Sequence, residues 1–189
     1  MRLVDQAHLL IGEYLKAGDV AIDATIGNGL DTAYLAERVG AEGKVFGFDV
    51  QEMAIEVATL ILKTKRLLNQ CELFQEGHET LSTCIPEVYR GRVTVAMFNL
   101  GYLPHGDKSI VTQSDTTLAA LEQSLMLLAP DGLISILAYR GHPGGMDEYE
   151  AVANWIAGRS EELKVIRQED SDHPEDKGPY LWLLRKQPS

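Results

Sequence analysis

Apolar and polar positions along the chain change period again and again. Residues 3–16 place Leu3, Ala7, Leu10, Ile11, Tyr14 and Leu15 at helical spacing, and Gly18 stops that helix. VAIDAT (20–25) follows as a short buried strand, and a Gly-rich turn leads into a helix over 31–39. The same alternation predicts a strand at 44–50, a helix at 53–68, a strand at 71–75 and a short helix at 79–85. RVTVAMFNL (92–100) is β-branched and aromatic, and a loop rich in Gly, Pro and His separates it from a helix at 116–128. Pro130-Asp131-Gly132 reads as a turn before a strand at 133–139, and the GHPGG loop precedes a helix at 146–156. Two β-like runs, 163–168 and 180–185, close the chain around the polar loop EDSDHPEDKG.

Five strands alternating with helices require right-handed crossovers, hence a parallel sheet covered on both faces. The last two strands lack a helix between them and predict an antiparallel hairpin at one edge. The expected fold is therefore doubly wound α/β. At 189 residues, with no repeat, low-complexity tract or linker, one domain over 1–189 is expected.

Composition narrows the function. The apolar share of 45% is ordinary for a globular chain. Stretches such as 93–98 and 133–139 are far below the roughly 18 residues of a membrane span. The N-terminal helix carries Asp5, His8 and Glu13, unlike a signal peptide. Cys71 and Cys84 lack metal-type spacing, so a reduced, cytoplasmic protein without a metal is expected. A net charge of −11 argues against broad phosphate neutralisation along DNA, though not against a local basic patch that grips one RNA hairpin. The apolar helix faces leave room for a homodimer.

In such sheets ligands bind beyond the carboxyl ends of the strands, where the strand order reverses. Gly27 and Gly29 let the backbone turn tightly and expose main-chain N–H groups, and Asp49, about 20 residues on, suits ribose hydroxyls. A dinucleotide site would carry a third glycine, where Thr32 stands instead. Asp31 falls in the first helical turn, where it would repel a pyrophosphate. Beside a cationic sulfonium and amino group the same carboxylate is favourable, as is Asp23. The charge pattern selects S-adenosyl-L-methionine, with S-adenosyl-L-homocysteine as product, over NAD. The residues expected around it are Asp23, Thr25, Gly27, Asn28, Gly29, Asp31 and Thr32 after the first strand, and Asp49 and Gln51 after the second. His78 after the third strand, placed for the adenine or for a helix cap, and Asn99 and Gly101 after the fourth complete the set.

The blocks DATIGNGLDTAYLAERVG, FGFDVQ, GHETL, FNLGYLPHGD and AYRGHPGG resemble the small class I methyltransferases of the rRNA methylase family. The resemblance covers most of the chain. It implies a seven-stranded methyltransferase fold and transfer of a methyl group to the amine of 5-aminomethyl-2-thiouridine at the tRNA wobble position. The expected partner is then a tRNA anticodon stem-loop. Asn99-Leu100-Gly101-Tyr102 stands where amino-directed methyltransferases carry Asn/Asp-Pro-Pro-Tyr/Phe, departing from that pattern in its middle pair.

The chemistry of an amine acceptor agrees. An amide oxygen at Asn99 accepts a hydrogen bond from the amine and aims its lone pair, whereas a carboxylate would favour the unreactive ammonium. With a lysine-like pKa of ~10.4, only about four amines in ten thousand are neutral at pH 7, about 4.6 kcal/mol against reaction. Alignment of two bound reactants can recover several kcal/mol, so positioning outweighs acid–base catalysis here. Tyr102 is placed to stack on the pyrimidine, and His105 and His142 flank the acceptor pocket as candidate proton acceptors. Lys108 and Arg140 are best placed for phosphates, with Tyr139 beside the base, while Lys63, Lys65, Arg66, Arg90 and Arg92 read as solvated surface. His8 on the first helix could reach the pocket mouth, but it reads first as a core-edge histidine. Methylation of another RNA (rRNA), methylation of a small-molecule amine, and a nucleotide-binding or NAD-dependent role without methyl transfer are the competing expectations.

Overall fold

The computed structural model describes residues 1–103, 109–171 and 178–188. Seven strands form one sheet: β1 Val20–Asp23, β2 Lys44–Phe48, β3 Cys71–Phe74, β4 Val93–Leu100, β5 Leu128–Tyr139, β6 Leu163–Asp170 and β7 Pro179–Lys186. Their order is β3-β2-β1-β4-β5-β7-β6. Strands β1 to β5 pair in parallel, and β7 runs antiparallel to both β5 and β6. The expected terminal hairpin is thus present, with β7 in the inner position.

Composition explains that placement. The Leu181–Leu184 stretch of β7 is buried on both faces, whereas β6 is charged and mostly exposed. An inner strand needs apolar side chains on both faces, and a charged edge strand discourages pairing with another chain.

Among the described residues, six α-helices cover the sheet: α1 Leu3–Tyr14, α2 Leu30–Val39, α3 Glu52–Lys65, α4 Leu81–Cys84, α5 Ser114–Leu127 and α6 Gly145–Ala157. Alternate strand residues feed two cores. Ala21, Val45, Val95 and Met97 meet Ile11 of α1, Leu35 of α2 and Leu62 of α3 on one face. Ile22, Phe46, Phe48 and Phe98 meet Leu81 of α4, Leu121 of α5 and Val152 of α6 on the other. This period-two division is what a parallel sheet buried on both faces requires.

Two local expectations need correction. Residues 129–132 do not end one element and begin another, because β5 runs through them. Val93 pairs with Leu128 and Val95 with Leu133, so four residues bulge between successive rungs. Pro130 has no N–H for the ladder, and Asp131 takes φ 64°, so the chain bows out and rejoins in register. The short helix expected at 79–85 is a 3₁₀ turn, His78–Thr80, followed by the single α-turn of α4. Pro86 then halts it.

Strands β1, β2 and β3 step away in one direction and β4 and β5 in the other, so the order reverses between β1 and β4. Everything at the tips of those two strands faces one crevice.

Candidate active site

The loop after β1 is built by hydrogen bonds to its neighbours. Ala24 N donates to Met97 O at 2.8 Å and Ile26 N to Phe48 O at 3.0 Å, tying the loop to β4 and β2. Gly27 and Gly29 adopt φ 52° and 72°. At Gly29 the need for glycine is steric as well, since a Cβ would lie 2.7 Å from Cα and Cβ of Ala58 on α3. That contact lets the start of α2 settle against α3 and fixes where the loop sits.

Three carboxylates surround it. Asp49 Oδ2 accepts from Gly27 N and Oδ1 from Gln51 N, both at 2.9 Å. Asp49 therefore clasps the β1 loop to the β2 tip, and each oxygen keeps a lone pair for another donor. Asp23 is fully buried, accepting from Thr32 Oγ1 at 2.6 Å and from Thr25 N at 3.2 Å. Burial, then the neighbouring Asp31 charge, pushes its carboxyl up to about 7. Asn28 is exposed at the crest of the loop.

Asp31 links the loop to the β4 tip. Its Oδ2 accepts from Asn99 Nδ2 at 2.5 Å, and its Oδ1 lies 2.6 Å from His8 Nε2. Asn99 N also donates to Thr25 Oγ1 at 2.7 Å. A carboxylate only accepts, so the amide must turn its NH₂ toward Asp31, leaving Oδ1 as its outward acceptor end. His8 thus belongs to the site and not merely to a core edge. Its position on the Val4/His8 flank of α1, beside the buried Ala7 and Ile11, was the available signal.

On the other side of the crevice, His78 lies beneath the loop. Its Nδ1 is 3.2 Å from Ala24 O and its Nε2 3.5 Å from Thr117 Oγ1, so both ring nitrogens face protein atoms. Burial lowers its pKa and favours the neutral ring. Thr117 Oγ1 and Thr112 Oγ1 each donate to the buried Glu148 at 2.6 Å. Thr112 N donates to Gly101 O at 3.0 Å, so this polar chain braces the loop after β4 from behind. Nothing in the sequence marked Thr112, Thr117 or Glu148, because a buried glutamate in a first helical turn looks like any surface one.

Tyr102 pairs across its loop with Val111 and meets the His142 ring edge-on at 6.0 Å. Tyr139 packs beside Gly101 and stays partly open, its hydroxyl pKa raised by burial and by the Asp31 charge. His142 Nδ1 lies 3.0 Å from Pro143 O and its Nε2 is buried against Gly145, so the ring does not present to the pocket the proton acceptor expected of it. His105 and Lys108 lie outside the described residues.

Arg140 departs from the expected phosphate contact. It is buried, donating from Nε to Gly178 O at 3.0 Å and pairing through its terminal nitrogens with Asp170. It also lies over the rings of Tyr149 and Tyr180 at 5.2 and 5.6 Å. All three of its nitrogens are committed to the β6–β7 hairpin because a desolvated guanidinium must be satisfied where it is buried. Among the surface cations, Lys65 pairs with Glu37 and Arg90 with Glu87.

The donor set defines what fits. Carboxylates at the β1 tip and in the first turn of α2 disfavour a diphosphate and suit a cationic sulfonium with its amino group. The Cys71 thiol is pushed up to about 12 by burial, so it is protonated and no nucleophile. Among the described residues no group of three or more His, Cys, Asp or Glu could hold a metal, and no helix is long and apolar enough to cross a membrane.

Strand order and site together define an S-adenosylmethionine-dependent class I methyltransferase. Solved structures agree. A "putative methyltransferase" from Streptococcus mutans in complex with S-adenosylhomocysteine is 30% identical with TM-score 0.85, covering 98% of both chains. A "putative rRNA-methylase" from Clostridium thermocellum is 38% identical with TM-score 0.90, covering 97% of this chain and 96% of that one. The family model described as "Putative rRNA methylase" matches residues 45–184, and the chain belongs to that family. A relative from Arabidopsis thaliana, named "tRNA (mnm(5)s(2)U34)-methyltransferase, chloroplastic", is 40% identical over 168 residues. That match covers 83% of this chain and 60% of the plant enzyme, so it spans less than two thirds of the relative's length.

Proposed function

We propose that the enzyme methylates the primary amine of 5-aminomethyl-(2-thio)uridine at the wobble position of tRNA, giving the 5-methylaminomethyl form. The observation that carries this reading is the Asn99 amide at the β4 tip, turned by Asp31 so that Oδ1 is its acceptor end. The name of the plant relative, 40% identical, supports the same substrate class.

Asp23, Asp31, Asp49 and the Gly27–Gly29 turn would hold the donor, with Asp49 taking the ribose hydroxyls. When bound, S-adenosylmethionine supplies an electrophilic methyl group on a sulfonium. Asn99 Oδ1 accepts one N–H of the neutral amine and leaves the nitrogen lone pair directed at the donor. A neutral amide does this without holding the amine as ammonium, in which the lone pair is taken up by a proton. Tyr102 and Tyr139 flank the base, Tyr102 by stacking. The proton that the amine must shed goes to water, since His142 Nε2 is closed off against Gly145.

The test is methyl transfer from labelled S-adenosylmethionine to tRNA with and without the 5-aminomethyl group. Label only on the amine-bearing tRNA is expected, and label on tRNA lacking it would overturn the reading. Asn99→Ala should lose turnover while keeping S-adenosylhomocysteine affinity, and near-normal turnover would remove Asn99 from the acceptor role. The burial of Arg140 favours one competitor, a small-molecule amine acceptor that needs no phosphate grip. Free alkylamines offered in the same assay separate the two.

A further inference from the structure

A row of three side chains crosses from the N-terminal helix to the acceptor position. His8 Nε2 lies 2.6 Å from Asp31 Oδ1, and Asp31 Oδ2 lies 2.5 Å from Asn99 Nδ2. The far end of the row is itself anchored. The His8 ring stacks on Tyr34 at 3.9 Å with the planes 2° apart, and the Tyr34 hydroxyl donates to the His8 carbonyl.

We infer that His8 is a positioning residue for the methyl acceptor, acting through Asp31 to fix the direction of the Asn99 amide. The inference rests on the reading that Asn99 Oδ1 receives the amine. A carboxylate turns easily about its Cβ–Cγ bond, because that torsion has broad wells. Asp31 is held by donors on opposite oxygens, His8 on one and Asn99 on the other, so its plane is set. With the His8 donor gone, one side of the carboxylate is free, it swings, and the amide that follows it loses its aim. Proximity catalysis is sensitive to this, since a misplacement of about 1 Å costs on the order of 10²-fold in rate. The Asn99 backbone does not move with the amide, because its N–H is held separately by Thr25. His8 therefore controls side-chain direction and not strand position.

Two amide substitutions test this without an apolar hole. In His8→Gln the side-chain nitrogen reaches about as far as Nε2 and can donate to Asp31. In His8→Asn it stops near the position of Nδ1 and cannot. Using the full chain, labelled S-adenosylmethionine and tRNA bearing 5-aminomethyluridine, His8→Asn should lower kcat by about ten- to a hundredfold with KM for the tRNA within about twofold of wild type, and because Asp31 also faces the donor, S-adenosylhomocysteine affinity should fall by less than kcat does. His8→Gln should keep kcat within about threefold, because it restores the donor but not the ionisable ring. Wild-type kcat in His8→Asn, equal loss in both variants, or a loss confined to cofactor affinity would each overturn the inference. Should His8→Asn fail to fold in a thermal melt, Tyr34→Leu removes the stacking surface. It should lower kcat in the same way, and wild-type kcat there would also overturn the inference. The double variant with Asn99→Ala should be no slower than Asn99→Ala alone, and a further drop would place His8 on a separate route. If Asn99→Ala itself keeps turnover, the proposed function's acceptor site fails. If Asn99→Ala is inactive while His8→Asn is fully active, only the role of His8 fails.

Discussion

Replacing Gly29 by alanine should damage both stability and cofactor binding, and the structure sets the size of the effect. Gly29 has φ 72°, and a Cβ there would stand 2.7 Å from Cα and Cβ of the fully buried Ala58. The left-handed backbone costs an L-residue roughly 1–2 kcal/mol. Forcing a methyl group into a packed contact costs roughly 1–3 kcal/mol more. The sum, about 2–5 kcal/mol, corresponds to a melting point lower by about 4–20 °C for a chain of this length. Gly27 provides the control. Its φ is 52°, but the nearest atom to an added Cβ is Leu103 Cδ1 at 3.6 Å, so Gly27→Ala should show only the backbone cost. Thermal melts followed by circular dichroism give the stability difference, and calorimetric titration with S-adenosylhomocysteine gives the affinity. Gly29→Ala should melt well below Gly27→Ala and bind more weakly, because pushing α2 off α3 moves the loop that Asp49 holds. Equal melting of the two variants would refute the argument from the Ala58 contact.

Three further outcomes follow from the same geometry. Asp23 has a folded pKa of about 7 against 3.8 for a free carboxyl, so between those values the unfolded chain holds fewer protons and stability falls as pH rises. Asp23→Asn lacks that penalty and should gain on the wild type from pH 4 to pH 8, by at most about 4 kcal/mol, and a stability gap independent of pH would refute it. Asp49→Ala removes the acceptor for Gly27 N and Gln51 N, charge-assisted bonds worth about 1.5–3 kcal/mol each, so S-adenosylhomocysteine affinity should fall about tenfold or more. Unchanged affinity by titration would show that the loop and the ribose are held without it. Arg140→Ala should cost about 2 kcal/mol of stability, reduced from the fully buried case because Asp170 is half exposed, and should leave KM for RNA unchanged. A raised KM with a normal melting point would return Arg140 to the phosphates.

The pattern of apolar positions determined the alternation of strands and helices, the parallel sheet and the antiparallel end, because burial on two faces and crossover handedness leave few alternatives. Local chemistry also placed the acidic, glycine-rich tip of β1, the acid after β2 and the Asn99 segment on one side of the sheet, since topology sends every strand end there. What the sequence could not fix were relations between residues far apart along it. His8 and Asn99 both reach Asp31 only because α1 packs across the face that α2 shares. Arg140 looked free because its partners, Asp170 and Gly178, lie 30 and 38 residues away and are brought to it only by the returning hairpin. Glu148 likewise became a buried brace when α5 folded against α6. Periodicity records which face a residue lies on, whereas the partner it meets there depends on how whole elements dock, and that was settled by the tertiary structure alone.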